Sequence, residues 1–98
     1  MKASLAIQVA PQYVSEERVI EVVDRVIEMI IDSGLSYVVS ACETTIESDE
    51  LAPLLDIIAK TQEIIADEGI GAATYMKLFY NEHAGVMTID EKISKYKK

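Results

Sequence analysis

The sequence predicts an α+β fold: one antiparallel sheet, two helices on one of its faces, and a short helix at the C-terminal end. Three observations predict it. Residues 3–10, "ASLAIQVA", alternate with period two, the mark of a strand with two unlike faces. Residues 16–33, and the run from Ser48 or Asp49 to Glu68, repeat apolar residues at helical spacing. Between them lie "LSYVVSAC" and "TTIES", two β-prone runs with almost nothing separating them, which predicts an antiparallel hairpin.

Each element has a local reason. In the first strand Leu5, Ile7 and Val9 share one face and Ser4, Ala6, Gln8 and Ala10 the other; Pro11 ends it. Ser15 can cap the first helix, with Glu16 and Glu17 in the positive first turn. Val19, Val23, Val26, Ile27 and Ile30 form its buried stripe, which Ile20, Val22 and Ile31 widen. Glu21, Asp24, Arg25, Glu28 and Asp32 take the wet side, and Gly34 stops the helix. The many β-branched residues lower propensity here, but the 3.6-residue period outweighs it. The second and third strands cover 35–42 and 44–48. The second helix takes Pro53 in its first turn, where a missing N–H costs little. It buries Leu51, Leu54, Leu55, Ile58, Thr61, Ile64 and Ile65, and closes at Glu68-Gly69. The fourth strand is 71–80, "GAATYMKLFY"; after the turn "NEHAG", Thr88 and Glu91 make a capping-box pattern that predicts the final helix. The order β-α-β-β-α-β is the split-βαβ, ferredoxin-like order, and right-handed crossovers put both helices on one face. The 98 residues read as a single domain, 1–98, without repeat or linker.

Composition narrows the function. Nine basic residues against 17 acidic ones give a formal charge of −8. Such a chain is repelled by phosphate backbones and anionic lipid, so neither nucleic acid nor a membrane is an expected partner, whereas a cationic small molecule is attracted. No apolar run approaches the length of a membrane span, and the N-terminal "MKASLAIQVAPQ" lacks a signal-peptide core. The expected compartment is the cytoplasm. A lone cysteine, Cys42, forms no intrachain disulfide and reads as a buried structural thiol. A lone histidine, His83, does not make a metal site with the adjacent Glu82. No nucleophile triad, GxGxxG or Walker pattern is present, and the expectation is a protein that is not an enzyme and needs no cofactor. The far face of the first strand, Ser4, Ala6, Gln8 and Ala10, carries no charge. Such a face predicts self-association through sheet faces or edges.

The stretch "SACETTIES" concentrates the remaining chemistry. If Ile46 faces the helices, Thr45 and Glu47 point to the opposite face, where a hydroxyl and a carboxylate side by side can read a ligand edge. Glu43, at the hairpin, can join them. On spacing alone, a solvated glutamate beside β-prone threonines is the better account of the pattern. Tyr37, Tyr75 and Tyr80 lie in strands and can stack on a flat ring or simply pack.

The chain resembles the YkoF-like thiamine-binding protein family, small ferredoxin-like proteins. The resemblance rests on "SLAIQVAP", on "VIEVVDRVIEMIIDSGLSYVVSACETTIES" and on "AGVMTIDEKISKYKK". Its most specific part is the stretch "SACETTIES", which resembles the family pattern S-x-x-T-T-x-E-G at Thr44, Thr45 and Glu47, with Ser40 one position further upstream than the pattern has its serine and Ser48 in place of the glycine. The resemblance implies binding of thiamine or its hydroxymethylpyrimidine part, without chemistry, in a cytoplasmic homodimer or homotetramer assembled through its sheets. It implies that Glu47 or Glu43 takes the ligand's amino group, that Thr44 or Thr45 bonds a ring nitrogen, and that an aromatic side chain such as Tyr80 stacks. Gln8, in mid-strand, is the polar residue added to this set. The rival reading is a structural or regulatory oligomer with no small-molecule ligand.

Overall fold

The computed structural model describes residues 1–97. Strand β1 is Ala3–Pro11, helix α1 Glu16–Asp32, β2 Ser36–Val39, β3 Thr44–Ser48, α2 Ala52–Asp67, β4 Ala72–Tyr80 and α3 Ile89–Ile93, followed by a 3-10 turn at Ser94–Tyr96. The strands form one antiparallel sheet in the order β2-β3-β1-β4, the ferredoxin-like arrangement the element order predicts. In the register Leu5 lies between Ile46 and Leu78, and Ile7 between Thr44 and Met76. These residues face the helices. Leu5, Ile46, Ile30, Leu54 and Ile57 form the centre of the core, with Val26 and Ile7 beside them.

The helices follow their stripes with two differences. On α1 the buried positions are Val22, Val26 and Ile30; Ile20 and Ile31, expected at the edges of the stripe, are exposed. On α2 they are Leu54, Ile57, Thr61, Ile64 and Ile65, while Leu55 is exposed. The i, i+3, i+4 series that meets the sheet passes through Ile57, and Leu55 is turned away from it. Thr61 is tolerated in this core because its hydroxyl donates to the Ile57 carbonyl at 2.8 Å. Ser15 caps α1 as expected, accepting the Arg18 N–H. Helix α2 starts later than expected and without a side-chain cap, because the Ser48 hydroxyl accepts the Glu50 N–H instead.

Strand β2 falls short of its sequence-derived limits. Strand β2 ends at Val39, not Cys42. The Ser40 N–H donates to the Glu43 carbonyl at 3.0 Å, so residues 40–43 close a turn and leave the ladder. Cys42 sits in that turn and is exposed, contrary to the buried thiol expected. The C-terminal helix is short, as expected: one turn and a half of α-helix before it tightens into the 3-10 turn.

The final segment does more than end the chain. Thr88 caps α3 with the full capping box, its hydroxyl accepting the Glu91 N–H while the Glu91 carboxylate accepts the Thr88 N–H. The segment lies across the face of the sheet opposite α1 and α2: Ile89 is buried, and the Lys92 ammonium sits 5.6 Å from the centre of the Phe79 ring. The far face is therefore partly covered by the chain itself. It also carries Glu47 and Lys77, so it is less bare of charge than β1 alone implied. Strand β4 is an edge, and Tyr75, Met76, Leu78, Phe79 and Tyr80 along it are exposed on both faces.

Candidate ligand-binding site

Two concavities meet at the β2–β3 turn, one on each face of the sheet. The first is a slot of about 160 Å³ between α1 and the end of the sheet. Its walls are aliphatic: Val23, Val26, Ile27 and Ile30 from α1, and Ile7 and Val9 from β1. Its mouth is polar, made by Ser40, Glu43 and Thr44, with Cys42 beside them; Gln8 borders it from β1, but alternation puts its side chain on the far face with Ser4 and Ala6. The slot exists because β2 stops early. Past Val39 no strand continues the sheet beneath this end of α1, and the turn curls over instead. Thr44 is buried on the helix side of β3, opposite Ile7, as the alternation predicts.

The second concavity, about 240 Å³, lies on the far face. Ser4 and Ala6 of β1 form a floor of small side chains, Thr45, Lys77 and Phe79 flank it, and Ile89, Lys92 and Ile93 of the C-terminal segment wall it. Ser40 and Glu43 line both concavities and so form their common rim. The Glu43 carboxylate accepts from the Lys77 ammonium at 3.3 Å, in a pair open to solvent on both sides. Lys77 pairs with Ala6 in the ladder, which carries its side chain to the far face and towards Glu43.

The sequence-derived residues therefore divide into groups. Ser40, Glu43 and Thr44 come together at the helix-side slot, which Gln8 borders with its side chain turned to the far face. Thr45 is on the far face with Ser40 and Glu43. Glu47 is also on the far face, but it is 7% exposed and lines neither concavity. One of its oxygens accepts the Ser36 hydroxyl at 2.8 Å and the other the Ile89 N–H at 2.8 Å. Its acceptor capacity serves the fold. Tyr80 stands apart, paired with Ala3 near the opposite end of the sheet. Its hydroxyl donates to Glu82, which also accepts from Lys2. That bond raises the Tyr80 phenol above its ordinary value and, with Lys2, lowers the Glu82 carboxyl.

Three sets of lining residues were not singled out by the sequence. The α1 wall of the slot, Val23 and Ile27, reads as ordinary core stripe. Lys77 reads as a solvated strand residue. Ile89, Lys92 and Ile93 belong to a tail whose docking place has no local signal. Among the described residues no cluster of His, Cys, Asp and Glu has the geometry to hold a metal ion, and no helix is long and apolar enough to cross a membrane.

Comparison with known proteins gives one consistent result. The profile of a family described as "Thiamine-binding protein" matches residues 5–97. A UPF0045 protein of Clostridium perfringens is 39% identical over 95 residues, covering 96% of each chain. Among solved structures, a domain of unknown function from Bacillus cereus superposes with a TM-score of 0.84 at 38% identity, over 100% of this chain and 92% of that one. A Thermotoga maritima protein described as a candidate for thiamine biosynthesis or salvage superposes with a TM-score of 0.83 at 31% identity, over 99% of this chain and 100% of that one.

Proposed function

The chain belongs to the thiamine-binding protein family, and from that premise we propose that it binds thiamine or its hydroxymethylpyrimidine part, without turnover, in the slot between α1 and the β2–β3 turn. The observation that carries the reading is the meeting of Ser40, Glu43 and Thr44 at the mouth of one aliphatic slot. Ligand sites combine apolar walls with a few placed polar groups, and this slot has that composition. Its volume of about 160 Å³ is below the usual range for drug-sized ligands and suits one flat ring. An aminopyrimidine enters edge-on between Val26 and Ile7, with its amino group at Glu43 and a ring nitrogen at the Thr44 hydroxyl. A cationic thiazolium stays at the mouth, within the field of the acidic helix layer.

Glu43 takes the role for which the motif favoured Glu47 first, since both oxygens of Glu47 are engaged by the protein. A family described as a binding protein, together with walls made of aliphatic groups, supports binding rather than catalysis. The cytoplasm is the proposed compartment. Self-association belongs to the same proposal. Strand β4 offers unpaired backbone groups and exposed Tyr75, Leu78 and Phe79, and a second copy pairing along that edge would cover both. The edge is also the feature that favours the rival reading of an assembly protein without a ligand.

Calorimetric titration with thiamine, and separately with hydroxymethylpyrimidine, tests the proposal. Glu43→Gln should weaken binding by about 1.5–3 kcal/mol, the range for a charge-assisted hydrogen bond. Val23→Phe, which fills the slot, should abolish binding while the circular dichroism of the fold stays unchanged. No binding of either compound by the parent, together with a stable oligomer in sedimentation, would leave the assembly reading in place.

A further inference from the structure

We infer that the far-face concavity is a second binding site, one that takes the anionic group of a small molecule such as a phosphate ester or a carboxylate. Three observations point the same way. Two ammonium groups, Lys77 and Lys92, line a concavity of about 240 Å³ that also holds Ser4 and Thr45. Phe79, already faced by the Lys92 ammonium at 5.6 Å, supplies a flat apolar wall beside the positive groups. The charge of the molecule is segregated by face. Helices α1 and α2 carry nine acidic residues against three basic ones. The described part of the C-terminal segment, which walls the far-face concavity, holds Lys92, Lys95 and Lys97 against Asp90 and Glu91. With Lys77 against Glu43 and Glu47 added, that side carries four basic residues against four acidic ones, so an anion is repelled less there than at the helix layer.

The one acidic group on the rim, Glu43, pairs with Lys77 in an exposed contact that an incoming anion can share or displace. Hydroxyl donors at Ser4 and Thr45 suit the remaining oxygens of a phosphate or carboxylate. The apolar part of such a molecule lies against Phe79 and Ile93. This site is distinct from the slot under α1 and does not rest on the thiamine reading, although Ser40 and Glu43 border both.

Titration of the full chain at low ionic strength with phenyl phosphate, benzoate and phenol tests the inference, read by calorimetry and by amide chemical shifts. The two anions separate phosphate from carboxylate preference, and phenol removes the charge. Phenyl phosphate or benzoate is expected to bind at least tenfold more tightly than phenol, with shifts at Ser4, Ala6, Thr45 and Ile93. The double variant Lys77→Met, Lys92→Met should lose that tenfold. Glu43→Gln, which frees Lys77, should tighten anion binding. Val23→Phe, which closes the other slot, should leave anion binding intact, so the two sites are scored separately. Undiminished binding by the double lysine variant, shifts confined to the α1 slot, or no preference for the anions over phenol at millimolar concentration would each overturn the inference.

Discussion

Glu47 shows what alternation along a strand reveals about a residue and what it hides. Period two places its side chain on the far face, and it is there, opposite Ser36 and Ser4. Its partner is not legible, because the N–H it accepts belongs to Ile89, 42 residues further along the chain. A carboxylate that is 7% exposed must have its oxygens satisfied, and here Ser36 and the first turn of α3 satisfy them. Glu47→Ala is therefore expected to lower stability by about 1.5–3 kcal/mol, measured by urea unfolding. The Ile89 amide should exchange faster in the same variant. Thiamine affinity, measured under conditions where the variant stays folded, should change less than in Glu43→Gln. An equal loss in both variants would return Glu47 to the ligand.

At the scale of elements, whatever repeats within a few residues was readable. The two helical stripes, the alternation of β1 and the Thr88–Glu91 capping box all formed as their spacing requires. Three of the proposed ligand residues also gathered at one slot, because Ser40 and Glu43 close the β2–β3 turn and Thr44 opens β3 on its helix side. The end of β2 was not readable. "LSYVVSAC" is β-prone throughout, and only the tertiary need for a turn breaks it at Ser40. The docking of α3 was equally hidden, because its route depends on long-range backbone bonds. The Asn81 N–H donates to the Lys2 carbonyl at 2.9 Å, and the Val86 N–H to the Met1 carbonyl at 2.8 Å. Gly85 holds this turn at a φ of 75°, and a Cβ there would stand 2.7 Å from the Met1 carbonyl oxygen. Gly85→Ala should therefore cost more than about 1 kcal/mol, since both the backbone and the close approach oppose it. A lowered melting temperature should come with faster amide exchange at Val86 and Ile89. Exchange unchanged at those amides would mean that the turn does not govern how α3 docks.

For the whole molecule, the excess of acid is held in place by a few basic groups at the layer boundaries. Glu68 sits at the C-terminal end of α2, where a negative charge opposes the helix dipole. Arg18 and Arg25 of α1 reverse that penalty. The Glu68 carboxylate accepts from Arg18 at 2.5 Å and from Arg25 at 2.6 Å, and Arg18 also donates to the Glu68 carbonyl at 2.9 Å, an orphan of the helix end. This cluster ties the two helices together across an otherwise repulsive surface. Arg18 first, and then Arg25, hold the Glu68 carboxyl below its ordinary value of 4.5. The folded state therefore takes up this proton less readily than the unfolded chain. The stabilisation is present in full above pH 4.5 and is lost as the pH falls through the lower folded value. Replacing Glu68 by Gln removes this contribution, so the variant should be less stable than the parent at neutral pH. The gap should narrow as acid is added below pH 4.5, because the parent then loses what the variant never had. Urea unfolding of both proteins along a pH series reads this directly. A gap that stays constant into acid would show that the Glu68 charge contributes nothing to holding α1 against α2, and that the helices are joined by their apolar stripes alone.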